Sequence, residues 1–141
     1  MRGMLVAFAL LSLAGNAAAA TLTMTKSPTC GCCGAWAERM RAAGFVVVTK
    51  VAADVTPTAR RLGVPDRLRS CHTAEIGGYA IEGHVPAADI KRLLAEKPRA
   101  AGIAVPGMPM GSPGMEHAGH AEPYETVLFD RSGKTRVFAR H

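Results

Sequence analysis

The chain has 141 residues and a net charge of +6, with 48% hydrophobic side chains and only 5% aromatic ones. Its basic residues are scattered and no aromatic rings interleave with them, which excludes the clustered, stacking surface of a nucleic-acid binder. The length suits one domain with a modest core, and four cysteines make sulfur chemistry the question to answer.

Residues 1–20, MRGMLVAFALLSLAGNAAAA, read as a signal peptide. Arg2 gives a positive n-region, Leu5 to Leu13 a nearly unbroken apolar run, and Ala18-Ala19-Ala20 the small residues of a cleavage site. The run is short for a membrane span, and no second one follows. The expectation is export to a bacterial periplasm, with no stable membrane insertion after cleavage. Arg2 is the segment's only charged side chain, so the remaining 121 residues carry +5.

In chain order, Thr21 to Lys26 alternates and predicts a strand. After Ser27-Pro28-Thr29 and the cysteines, Trp36, Met40 and Ala43 fall at helical spacing between Gly34 and Ala43, with Gly44 as the stop. Phe45 to Val51, FVVVTKV, is apolar enough to predict a strand buried on both faces. Thr56-Pro57 reads as an N-cap followed by proline at the first helical position, opening a short helix that runs through Leu62. Thr73 to Ile76 and Tyr79 to Glu82 flank Gly77-Gly78, a two-residue hairpin signal. A helix follows Pro86, with Ile90, Leu93 and Leu94 on one face, and stops before Pro98. The order β-α-β-α-β-β-α suits a thioredoxin-like α/β sandwich over residues 21–97. Residues 98–123, rich in proline, glycine and methionine, predict an irregular loop. Tyr124 to His141 offers two alternating runs around Arg131-Ser132-Gly133, a second hairpin. Residues 98–141 are thus expected to be a loop and hairpin extension packed on the same domain.

Three cysteines lie in Cys30-Gly31-Cys32-Cys33. Cys30 and Cys33 have the spacing of a thiol oxidoreductase, and a helix start at this motif favours thiolates through its amides and dipole. Cys32 is surplus to a plain dithiol. Cys71, in Ser-Cys-His-Thr, stands just before the third strand, where a thioredoxin-like fold brings it against the first three, with His72 beside it. Structural disulfides remain an alternative for an exported chain, with Cys30–Cys33 and Cys32–Cys71 as the workable pairing. A periplasmic thiol–disulfide oxidoreductase using Cys30 and Cys33 is another. Four convergent thiolates suit soft metals, and a crowded C-x-C-C run suits Cu(I), which shares bridging sulfurs among several ions. Copper therefore leads zinc and iron–sulfur as the expected metal. Met108, Met110 and Met115, with His117 and His120, add thioether and imidazole donors in the loop, although methionine is also a packing filler there. His72, beside Cys71, suits a ligand or proton donor; His84 is a less secure candidate left outside the ligand set, and His141 receives no role.

The stretches S-P-T-C-G-C-C-G-A-W, L-G-V-P, S-C-H-T, G-Y-x-I-E-G-H-V-P and A-V-P-G-M-P-x-G-S-P-G-M-E, in this order over essentially the whole exported part, resemble the CopG-type periplasmic copper-resistance proteins. These were long catalogued as a domain of unknown function and are unrelated to the DNA-binding repressor of the same name. The resemblance implies a thioredoxin-like domain with a C-terminal extension and a copper–thiolate site. Cys30, Cys32, Cys33 and Cys71 match its cysteine ligands, and His72 matches a histidine of less secure role. It also implies copper tolerance as the function, copper ions and other periplasmic copper-handling proteins as partners, and an interconversion of Cu(I) and Cu(II) as an activity proposed for the family. The H-A-G-H stretch has no place in the family pattern.

Overall fold

A computed structural model of the chain describes residues 20–141, so the expected signal peptide lies, Ala20 apart, outside the described residues. The chain is a mixed α/β protein. Its strands are β1 (Thr21–Lys26), β2 (Val46–Val51), β3 (His72–Ile76), β4 (Tyr79–Glu82), β5 (Gly102–Ala104), β6 (Glu125–Phe129) and β7 (Thr135–Arg140). The helices are α1 (Gly31–Ala42), α2 (Thr56–Arg61) and α3 (Ala87–Glu96), with a 3-10 turn over Asp66–Leu68. Among the described residues, seven strands form one sheet in the order β2-β1-β3-β4-β5-β6-β7. β1 pairs in parallel with β2, across the α1 crossover, and antiparallel with β3.

The period of two along each strand divides the core. Ile81, Ile103 and Leu128 point into the main cluster with Leu22, Trp36, Met40, Ile90 and Leu93, which are contributed by β1, α1 and α3. Their chain neighbours Ala80, Ala104 and Phe129 point into a second cluster beneath Ala59 and Leu62, at α2. In α1 the buried Cys33, Trp36, Ala37 and Met40 make a single stripe, so the helix that buries Trp36 also turns the cysteines inward.

Four expectations are corrected. β2 is not buried on both faces: it is an edge strand, and Val46, Val48 and Val51 are 49%, 44% and 62% exposed. Phe45, just before it, is the residue that enters the core. α1 begins at Gly31 rather than Gly34, with Cys30 as its N-cap. In α2 Thr56 is already helical and Val55 is the N-cap, because the side chain of Asp54 takes up the Thr56 amide at 2.8 Å. Residues 98–123 are not wholly irregular, since Gly102–Ala104 is a strand joining β4 to β6. Only glycine fits at 102, where a Cβ would stand 2.1 Å from the Ala80 carbonyl oxygen. The second hairpin, β6 and β7, forms as expected at the far edge of the sheet.

Candidate metal centre

The β1–β3 register builds the site. Lys26, the last residue of β1, lies opposite His72, the first of β3. The chain leaving β1 therefore enters the Cys30–Cys33 turn beside the segment that brings Cys71 to β3. The Lys26 ammonium ties that turn, donating to the carbonyls of Ser27 at 2.9 Å and Cys30 at 3.3 Å.

Cys30 and Cys33 are joined as a disulfide with a Cα–Cα distance of 5.4 Å, while Cys32 and Cys71 are free thiols. The Cys32 sulfur lies 3.6 Å from that of Cys30 and 3.9 Å from that of Cys71. All four sulfurs lie within 4.8 Å of one another. The alternative second bridge, Cys32–Cys71, is not formed. Around Cys71 a second group assembles with His72 and His84. The Cys71 sulfur is 3.1 Å from His84 Nε2 and 3.4 Å from His72 Nδ1.

The histidines' chemistry follows from their neighbours. His84 Nδ1 is 2.8 Å from the Pro113 carbonyl, which can only accept, so Nδ1 carries the proton and Nε2 presents its lone pair to Cys71. His72 is fully buried, its ring 4.5 Å from that of Trp36, and its Nε2 has no partner. Burial, with His84 adding to it, pushes the His72 pKa down to about 3, and burial lowers that of His84 as well. Both imidazoles are therefore neutral, the form that binds metals. Burial, reinforced by Cys32, raises the Cys71 thiol to about 12. Without a cation this sulfur keeps its proton; a soft cation is what would displace it.

Two features hold Cys71 in place. The Glu82 carboxylate accepts from the Ser70 amide at 2.7 Å and the Thr73 hydroxyl at 2.6 Å, bracketing Cys71-His72. Burial raises this carboxyl to about 7. Gly83 (φ +73°) lets the chain turn where a Cβ would meet the Val105 carbonyl oxygen at 2.7 Å and Ser70 Cβ at 2.8 Å.

The structure thus gathers Cys30, Cys32, Cys33, Cys71 and His72, and adds His84, which the sequence reading left outside the ligand set. The loop residues stand elsewhere. Met108, half exposed, shares with Cys71 a cleft of about 290 Å3 that opens to solvent. Met110, Met115 and His117 line a different depression. His117 and His120 belong to neither group of clustered ligand atoms.

Among the described residues, no helix is long and apolar enough to cross a membrane. The family described as "Protein of unknown function, DUF411" matches residues 68–115, which span Cys71, His72, His84 and the three loop methionines. No curated protein matches the chain. Two solved structures do, both of a "Copper resistance protein copG". Its form 2 is 44% identical with a TM-score of 0.84, covering 88% of this chain and 99% of that one. Its form 1 is 45% identical with a TM-score of 0.81, covering 86% and 96%. At that identity over nearly the whole of both chains, the protein belongs to the CopG-type copper-resistance family.

Proposed function

We propose that the protein binds copper in the service of copper resistance, taking up Cu(I) as cargo through the thiolates of Cys30, Cys32, Cys33 and Cys71. The observation that carries this reading is the convergence of four sulfurs within 4.8 Å of one another, with the neutral imidazoles of His72 and His84 gathered at one of them, Cys71. Thiolates select Cu(I), and bridging sulfurs allow several ions in a small volume. His72 and His84 flank Cys71 as further ligands, and the amides at the start of α1 offset the thiolates' negative charge. Uptake requires the Cys30–Cys33 disulfide to accept two electrons and two protons from an external dithiol, which leaves as its own disulfide, giving four thiols. Each thiol that becomes a ligand then releases its proton. A polynuclear centre of this kind could also pass single electrons between Cu(I) and Cu(II). Met108, at the lip of the cleft beside Cys71, offers a soft entry point from solvent. The domain reading goes with this one: a periplasmic, thioredoxin-like domain over residues 21–97, following a cleaved signal peptide, with residues 98–141 packed on it.

The reduced protein, titrated anaerobically with Cu(I) against a competing chelator, tests the reading. More than one tightly held copper per chain is expected, with capacity lost in Cys32→Ser. In His84→Ala affinity should drop roughly tenfold or more, as removal of a supporting histidine commonly does.

The disulfide at the start of α1 favours one rival, a thiol–disulfide oxidoreductase using Cys30 and Cys33. That reading needs neither Cys32 nor Cys71. Rapid metal-free turnover of a disulfide substrate, unchanged in Cys32→Ser, together with weak copper binding, would establish it instead.

A further inference from the structure

His117-Ala118-Gly119-His120 takes no part in the sulfur centre, and its backbone is organised. The His120 amide donates to the His117 carbonyl at 3.1 Å, closing a β-turn, and Gly119 supplies the positive φ, +77°, that the third position of a type II turn needs. The two histidines form an antiparallel β-bridge, so their side chains leave the same face of the ribbon. Their ring centroids are 6.3 Å apart. His120 Nδ1 lies 3.4 Å from the Ala118 carbonyl oxygen, a contact that leaves Nε2 as the ring nitrogen free to take a ligand's place on a metal. This is the arrangement in which a histidine binds metal through Nε2. Two imidazoles sharing one ion at about 2.0 Å have centroids roughly 4.5 to 6.3 Å apart, from cis to trans. The pair already stands at the open end of that range, and both residues are exposed.

The turn is also held from below. The Glu122 amide donates to the Met110 carbonyl at 2.8 Å, the Met110 amide to the Glu122 carboxylate at 3.1 Å, and the Gly111 amide to the Met115 carbonyl at 3.0 Å. Arg39 of α1 reaches Glu116 at 2.8 Å. The imidazole pair therefore projects from an anchored ribbon.

We infer that His117 and His120 form a second metal site, separate from the sulfur centre, which takes a borderline divalent ion with Cu(II) foremost. Donor chemistry decides the class. Imidazole nitrogen with water completing the shell suits Cu(II) and Zn(II) rather than Cu(I), and the stability order of divalent ions puts Cu(II) first. The site thus differs in preference from the sulfur centre, and it stands whether or not that centre holds copper.

The test uses the whole purified protein with the Cys30–Cys33 disulfide intact and Cys32 and Cys71 blocked by N-ethylmaleimide, so that no thiol can bind or reduce the ion. Because the thiols are out of play, its outcome is independent of the thiolate reading. Copper(II) chloride is titrated against glycine as competitor to measure affinity, and electron paramagnetic resonance is recorded on protein freed of unbound and glycine-bound copper by gel filtration. One ion per chain is expected, with an axial signal carrying hyperfine structure from two nitrogens. Affinity should fall at least tenfold in His117→Gln or His120→Gln, and the signal should vanish in the double variant, with circular dichroism unchanged. Three results overturn the proposal: wild-type protein that loses its copper to glycine, a double variant that keeps the signal, or a signal that disappears with His141→Ala instead. Tighter binding of zinc than of copper overturns the assignment of the metal.

Discussion

The Glu82 carboxylate is nearly inaccessible to water, yet both its oxygens are used, one by the Ser70 amide and one by the Thr73 hydroxyl. Those two partners lie on either side of Cys71-His72, so one side chain fixes the position of the sulfur and of the imidazole that follows it. Removing it strands a buried hydroxyl, at about 1–3 kcal/mol, and a part-buried amide, at about 1 kcal/mol, the lower end of that range. Glu82→Ala should therefore lower stability to denaturant by about 2–4 kcal/mol. It should also speed alkylation of Cys71, measured by mass spectrometry of the labelled peptide. Glu82→Gln keeps an acceptor for Ser70 and a polar partner for Thr73, and should restore most of both properties. Equal losses in the two variants would show that charge, rather than the pair of hydrogen bonds, holds the segment.

Among the elements, the loop after β5 depends on one close approach. Gly114 (φ +86°) lies against α1, where a Cβ would stand 2.7 Å from the Trp36 amide nitrogen and 2.8 Å from the Cys32 carbonyl oxygen. Beside it the Pro113 carbonyl receives His84 Nδ1–H. Gly114→Ala meets backbone on two sides and a φ that suits only glycine, so the loop must lift. Limited proteolysis between Gly107 and Ala121 should accelerate, while the thermal transition of the sheet moves little. That loop also marks where sequence reading stops. Local signals found β1, α1, the β3–β4 hairpin, α3 and the last hairpin, because each carries its own period, cap or turn. β5 was missed because its three residues owe their strand to β4 and β6, on either side. β2 was misread because its composition suits a buried strand, whereas burial depends on a neighbour that an edge strand lacks. Val48→Thr should accordingly change stability by less than about 0.5 kcal/mol, as at most exposed positions. The cysteines and His72 were legible as a group once a fold was assumed. His84 was available by the same logic and was not taken. A tight turn at Gly77-Gly78 sets the register of the whole hairpin. Six residues back from Gly77 is Cys71, and six forward from Gly78 is His84, so the two fall opposite each other.

Taken as a whole, the described part of the molecule does not divide into a cysteine-bearing part and an appendage. Leu128 of β6 and Phe138 of β7 are buried in the main cluster with Leu22 and Trp36, and Phe129 is the largest side chain of the second cluster. The Arg92 guanidinium of α3 lies 4.1 Å from the Phe138 ring and donates to the Phe138 carbonyl at 2.8 Å. The last residue is tied in as well. His141 Nε2 stands 2.9 Å from the buried Asp89 carboxylate at the start of α3, and the Thr126 hydroxyl donates to the same carboxylate oxygen at 2.6 Å. Burying one phenylalanine is worth about 3–5 kcal/mol against truncation to alanine, and a domain of this size has only about 5–15 kcal/mol in total. A chain ending at Pro123 loses both phenylalanines and Leu128. It also exposes the edge of β5 and leaves Asp89 without its partners. That chain should show no cooperative thermal transition and no near-ultraviolet signal from Trp36, the ring packed on His72. A truncated chain that melted cooperatively within a few degrees of the full one would mean that the sheet closes without its last two strands. The site would then rest on β1, α1, β3 and β4 alone.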